Sequence, residues 1–439
     1  MVSSEFVFEG YRYDAAARAL SLTYRFTDGP RFTEELRFDV PDRQLTSQER
    51  VVLDRIFRLV FLAAGVSYYK AYIPRTLRCE AFPLDRETAA FMQVFYERGL
   101  AEFAYRNGLS LRDHLEFAWE PSAPGSEPVA IDLPRRTCVP VGGGKDSIVT
   151  LECLKRSGED VTAFALGSAE PIAACIATAG VPTLRVHRRL DSQLFALNQN
   201  GALNGHVPIT GILSTIVLAV AVLAGCDTVA MSNEHSASVP NLVADGVEVN
   251  HQYSKSLDFE RMLADHLCGR VTPGLSYFSL LRPLSEIEIA RRFAGSPQYF
   301  PVFRSCNAAF KQSPTERART WCGNCPKCRF VFLALAPFVG RPALVEIFGR
   351  DLLDDPAQGD GFAELCGLKS HKPFECVGDV GESAAVMAYL GQHPDWGRDA
   401  VVRRLAPAGG DLSAYHALFR VRHPHRVPDA YLGLLDASR

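Results

Sequence analysis

Short alternating runs of apolar and polar residues fill the first 45 positions. Glu5-Phe6-Val7-Phe8, Ala19-Leu20-Ser21-Leu22-Thr23-Tyr24 and Glu35-Leu36-Arg37-Phe38-Asp39-Val40 are separated by turn residues at Gly10, Asp28-Gly29-Pro30 and Pro41-Asp42. This pattern predicts a small antiparallel sheet. From Ser47 the apolar period lengthens, with Val51, Val52, Ile56, Leu59, Val60 and Leu62 on one helical face. A second helical stretch is predicted over Glu87 to Tyr105. Four prolines between Pro121 and Pro134 then mark a linker.

Beyond the linker the rhythm becomes strand, helix, strand. Apolar strands are predicted at Thr137–Val141, Val161–Leu166, Thr183–Val186 and Thr228–Met231. Helices are predicted at Ser147–Arg156, Pro171–Ala179 and 212–224. Strands with no polar face must be covered on both sides, so the expected class is α/β with a doubly wound parallel sheet. The expected organisation is an N-terminal α+β domain (1–120), a linker (121–134), the parallel-sheet domain (135–350) and a mostly helical region (351–439). A second polar linker is expected at Asp351–Gly361. The longest apolar run, Gly211 to Cys226, is shorter than the roughly 18–20 residues of a membrane span and reads as a buried helix.

Composition narrows the function classes. The chain has 439 residues, 47% hydrophobic and 22% charged, which is ordinary globular usage and excludes a disordered or fibrous protein. Lys and Arg number 47 against 50 Asp and Glu, a net charge of −3. That balance argues against a surface built to grip nucleic acid. The first residues, MVSSEFVFEG, lack the basic and apolar runs of a signal peptide. A cytoplasmic protein with reduced thiols is expected, with no membrane partner, although 12 cysteines then need an explanation.

Two motifs carry chemistry. The first predicted strand runs into Gly142-Gly143-Gly144-Lys145-Asp146-Ser147, where a helix begins. Consecutive glycines let backbone N–H groups converge on an anion, and the helix N-terminus adds positive potential. Lys145 can neutralise phosphate, Ser147 can donate a hydrogen bond and Asp146 can hold Mg²⁺. A Walker A loop would need Gly at the position of Val139, and GxGxxG is absent. The loop resembles the Ser-Gly-Gly-x-Asp-Ser pyrophosphate loop (PP-loop) of the N-type ATP pyrophosphatases, with Gly142 in place of the leading Ser. Those enzymes cut ATP between the α and β phosphates.

The second motif is Cys322-Gly-Asn-Cys325-Pro-Lys-Cys328 with Cys306 upstream. Four thiolates at this spacing suit a closed structural Zn²⁺ site, with Lys327 and Arg329 offsetting charge; an iron–sulfur cluster is the rival occupant. A similar arrangement occurs near the C-terminus of 7-cyano-7-deazaguanine synthase, another enzyme with the pyrophosphate loop.

Three polar clusters are candidates for substrate contact: Ser232-Asn233-Glu234-His235-Ser236, Asn250-His251-Gln252-Tyr253-Ser254-Lys255-Ser256 and His371-Lys372-Pro373-Phe374-Glu375-Cys376-Val377-Gly378. Glu234 and His235 follow a strand whose carboxyl end faces the loop, where ligands of open α/β sheets bind. They are therefore the acid–base candidates, beside Asp146. Arg185, His187, Arg188 and Arg189 follow the third strand of the parallel series and could meet a phosphate or stand as solvated charge.

Taken together, these segments in this order resemble the ATP-dependent UDP-N-acetylmuramoyl-L-alanyl-L-glutamate epimerases of bacterial peptidoglycan synthesis (MurL-type) over nearly the whole chain. The resemblance implies that 135–350 is an ATP pyrophosphatase-like domain. It also implies ATP, Mg²⁺ and a UDP-muramoyl dipeptide as ligands, and a role in cell-wall biogenesis, cell shape and division. The implied chemistry is adenylation of the substrate's terminal L-Glu, proton exchange at its Cα, and release of AMP and pyrophosphate with D-Glu as product. Gly142 to Ser147 would hold the phosphates, and Glu234 and His235 would move protons or contact the substrate. Two alternatives stay open: another adenylating enzyme of the pyrophosphate-loop type, such as a ligase or tRNA thiolase, and a non-catalytic adenine-nucleotide sensor.

Overall fold

The computed structural model describes residues 4–311, 314–369, 371–408 and 412–437. Strands β1 (Glu5–Asp14), β2 (Ala19–Phe26) and β3 (Arg31–Asp39) form the expected antiparallel meander. Two short strands, β4 (Thr76–Cys79) and β5 (Glu116–Phe117), extend it in parallel beyond β1. The parallel series comprises β6 (Thr137–Pro140), β7 (Val161–Leu166), β8 (Thr183–Arg189) and β9 (Thr228–Met231). A hairpin, β10 (Leu242–Ala244) with β11 (Val247–Val249), stands apart. A further strand, β12 (Ser276–Ser279), was not evident in the sequence and pairs with β9.

All except the hairpin belong to one ten-stranded sheet in the order β12-β9-β6-β7-β8-β3-β2-β1-β4-β5. The join is antiparallel pairing of β3 with β8, from Glu35 opposite Arg189 to Asp39 opposite Arg185. The basic residues after the third parallel strand therefore extend that strand and serve the join. Arg188 is no solvated charge: its guanidinium forks onto the fully buried Glu34 carboxylate at 2.7 and 3.1 Å and reaches Ser67 Oγ at 2.9 Å.

Side-chain alternation explains why both faces must be covered. Cys138, Phe164, Val229 and Tyr277 enter one apolar core, whereas their neighbours Val139, Ala163, Ala165, Ala230 and Phe278 enter the other. The first core includes helix Ser47–Ala64, which a Thr46/Glu49 capping box starts, and the apolar helix Ile209–Ala224. That helix is buried, as its composition predicts, and among the described residues no helix is long and apolar enough to cross a membrane. The second core holds helices Lys145–Arg156, Glu170–Ala179, Glu286–Ala294 and Pro326–Leu335. The helical C-terminal region packs on this side: Tyr431 Oη meets Thr137 Oγ1 at 2.9 Å. The predicted helix from Glu87 to Tyr105 is present as two, Arg86–Gly99 and Ala101–Arg106, divided at Leu100.

Candidate functional site

The glycine-rich loop leaves β6 and enters helix Lys145–Arg156 with Gly144 as N-cap and no side-chain cap. Its first N–H groups are thus left for another acceptor. Gly143 has φ +79°, and a Cβ there would press to 3.2 Å on the backbone of Pro171 and Ile172, so this position needs glycine. A Cβ at Gly142 meets nothing within 4 Å, so this position has room for a side chain. Ser147 Oγ donates to the Gly144 carbonyl at 3.2 Å.

Lys145 is buried and bonded to both Asp146 and Glu286. Burial alone would favour a neutral amine, but the two carboxylates outweigh it and hold the lysine pKa above its ordinary value. Burial pushes the Glu286 pKa well up, with Lys145 opposing the shift. Glu286 opens a helix capped by Ser285. It was not evident in the sequence because a single glutamate in a helix's first turn reads as dipole compensation.

Ser232, Asn233 and Glu234 follow β9, Gln252 and Lys255 come from the second polar cluster, and Cys376 comes from the third. All six line a cavity of about 210 Å³ with Gly142, Gly144 and Lys145 to Ser147. The three clusters and the loop therefore meet. The first two clusters are joined by Arg282, another residue missed from sequence and only 1% exposed. It donates to the carbonyls of Glu234 and Lys255, each at 2.5 Å, while pairing with Glu260. Gln252 Nε2 donates to the Val377 carbonyl, and its Oε1 is buried without a partner.

His235 goes elsewhere. Glu234 has extended backbone, so its side chain and that of the next residue diverge. His235 lines a separate cavity of about 680 Å³ with Arg98, Arg261 and Arg282. Burial, then Arg422 and Arg282, lowers its pKa. The two residues do not form one acid–base pair.

A third cavity, of about 730 Å³, shares Thr210, Gln252, Lys255, Lys327 and Cys376 with the loop cavity. It is walled by Ser67 and Lys70 from the N-terminal half, and by Arg188, His206, His251 and Glu375. Burial lowers the Lys70 pKa to about 8. Glu102 is also buried here: it meets His251 Nδ1 at 2.5 Å and Arg106 at 2.7 Å. Lys327, read from sequence as a counter-charge for the cysteines, lines both cavities; Arg329 bonds Gln358 and Asn324.

The cysteine motif closes as the spacing predicts. Sγ–Sγ distances are 3.6 Å for Cys306–Cys325 and 3.5 Å for Cys322–Cys328 and Cys325–Cys328. All four sulfurs lie within 4.8 Å of one another. A tetrahedron with Zn–S bonds of about 2.3 Å has edges of roughly 3.8 Å, so the donor set fits zinc. Cys328 N–H donates to Cys325 Sγ at 3.4 Å, a knuckle contact at the start of helix Pro326–Leu335. The four sulfurs gather at the start of that helix, whose second residue, Lys327, lines both cavities.

Comparison with known proteins agrees along the chain. Residues 2–280 match the MurL N-terminal domain and 302–417 the MurL C-terminal domain. Three relatives are each named UDP-N-acetyl-alpha-D-muramoyl-L-alanyl-L-glutamate epimerase. That of Xanthomonas oryzae pv. oryzae is 41% identical over 97% of this chain and 96% of its own length. Those of Salinispora tropica and a Micromonospora species are each 44% identical, over 98% and 97% of this chain and 95% and 96% of theirs.

Proposed function

The chain belongs to the MurL family, and we propose that it epimerises the terminal L-Glu of UDP-N-acetylmuramoyl-L-Ala-L-Glu to D-Glu in an ATP-dependent reaction. The observation that carries this reading is the wall shared by the loop cavity and the larger one, made of Thr210, Gln252, Lys255, Lys327 and Cys376, across which an activating nucleotide and a bulky peptide-bearing substrate can meet. In this reading the loop is of the ATP pyrophosphatase type. Gly142 to Ser147 receive the phosphates, Lys145 neutralises them and Asp146 would hold Mg²⁺, which would draw charge from the leaving pyrophosphate.

The chemistry answers a physical obstacle. The Cα–H beside an ionised carboxylate resists deprotonation, because the resulting enolate would carry two negative charges. Attack of a substrate carboxylate oxygen on the α-phosphorus expels pyrophosphate and forms an acyl-adenylate. The Cα–H is then acidic enough for a side-chain base, a contribution of roughly 10²–10⁴-fold. Reprotonation on the opposite face and hydrolysis give D-Glu and AMP. Lys70, on the wall of the larger cavity, suits the anionic UDP-muramoyl portion. Zinc on the four cysteines would be structural, and the reaction would be cytoplasmic.

The test is incubation with ATP, Mg²⁺ and the UDP-muramoyl dipeptide in D₂O. AMP formation with deuterium at Glu Cα and D-Glu product is expected. AMP without Cα deuterium would overturn the epimerase reading and favour another adenylating enzyme; ATP binding without pyrophosphate release would favour a sensor.

A further inference from the structure

We propose that Cys376, as a thiolate positioned by His251 and Glu102, is the base that takes the Cα proton of the activated glutamate. The proposal rests on the reading above and names the residue it leaves open. Cys376 is partly exposed and lines both the loop cavity and the larger cavity. It thus stands where a carboxyl activated over the loop would continue into the rest of the substrate.

The surroundings of the thiol set its charge. Lys255 and Lys327 line both cavities with it, and His251 lines the larger one. Glu102 lies behind His251 at 2.5 Å from Nδ1, which leaves the imidazole's second nitrogen for another partner. The His206 ring lies 4.3 Å from that of His251, tilted by 43°, and Glu375 lines the same cavity. Burial opposes ionisation of Cys376, yet Lys255, Lys327 and His251 together bring its pKa well below the ordinary thiol value. Burial likewise disfavours His251⁺, but Cys376 and Glu102 bring its pKa up to about 9. Burial, then His251, keeps His206 neutral at about 4. The result is a thiolate–imidazolium pair at neutral pH, the arrangement that activates sulfur.

The remaining candidates for the base are less well placed. Lys145 is tied to two carboxylates, Lys255 is held protonated by Cys376 and Glu234 against its burial, Glu234 lines the loop cavity but not the larger one, and His235 lies in another cavity. In the step itself the sulfur lone pair takes the proton and forms S–H. The Cα–H pair moves into the adenylated carboxyl to give the enolate, and a solvent-derived proton returns to the opposite face. No electrons are gained or lost overall.

Two measurements test this. In the full-length wild-type protein, iodoacetamide at about pH 6.5, well below the ordinary thiol range, should alkylate Cys376 at least ~10-fold faster than the exposed Cys268, as resolved by peptide mass spectrometry. His251→Gln should move the Cys376 alkylation profile to higher pH. Cys376 reacting no faster than Cys268 would overturn the thiolate assignment, whether or not any variant folds. In the D₂O assay, Cys376→Ser should lower Cα exchange at least ~100-fold relative to AMP formation. An unchanged ratio overturns the thiol as base but leaves the epimerase reading intact. Absence of exchange in the wild-type enzyme overturns both.

Discussion

Lys145 and Glu286, 141 positions apart, are joined by a buried ion pair at the mouth of the glycine-rich loop. The bond ties the start of helix Lys145–Arg156 to the start of helix Glu286–Ala294. Both ends of that bond line the loop cavity, so the lysine is held protonated and in place before any phosphate arrives. Arriving phosphate oxygens would find a fixed cation, with little reorganisation left to do.

Asp146 is only half-buried and lies on the exposed side of the same lysine. Asp146→Ala should reduce AMP release at least ~100-fold, since one charge-positioning group at a transferring centre contributes about that much. Circular dichroism and the melting curve should remain those of the wild type. Full activity in this variant would remove the loop from the mechanism.

The four cysteines predict about one zinc ion per chain by elemental analysis. Cys328→Ser should abolish that stoichiometry and lower the melting temperature, because Cys328 is buried at the start of helix Pro326–Leu335. Iron with visible absorption in the purified protein would identify a cluster instead.

The Glu34–Arg188 pair predicts an asymmetric mutant series. Glu34→Ala leaves a buried guanidinium unpaired and should cost about 3–5 kcal/mol in denaturant unfolding. Replacing both partners by Leu and Met should recover most of that loss. Equal destabilisation by the single and double variants would contradict the pairing.

His266 stacks on Phe91 at 5.1 Å, and burial lowers its pKa to about 4 despite the nearby Asp85. A histidine with a depressed folded pKa binds its proton preferentially in the unfolded chain. Its contribution is therefore complete above about pH 6.5 and is lost as pH falls toward 4, by up to about 3 kcal/mol. Monitored by unfolding at several pH values, His266→Phe should flatten that acid loss while keeping the stack.

The parts of this molecule readable in its sequence are those with local signatures. Apolar strands buried on both faces, the Gly-Gly-Gly-Lys-Asp-Ser turn and the cysteine spacings each specify their geometry within a few residues. The three polar clusters were also legible as candidates, and Ser232, Gln252, Lys255 and Cys376 meet as one wall. Partnerships across long stretches of chain were not. Arg282 and Glu286 are ordinary charges until the fold brings Glu234 and Lys145 to them. The basic run at 185–189 gives no local sign that β3, some 150 positions earlier, will pair with it. Glu234 and His235 were adjacent in sequence, but extended backbone sends them into different cavities.

The antiparallel join between β3 and β8 has a consequence for a chain made from its N-terminus on a ribosome. Until residues 183–189 emerge, β3 is an open sheet edge, the kind of surface that recruits other chains. Glu34 then lies on the apolar face of that edge with its guanidinium partner not yet synthesised, and an unpaired inward carboxylate disfavours docking of a foreign strand. The pair that later closes the sheet thus begins as a guard on the nascent chain, relieved when Arg188 arrives.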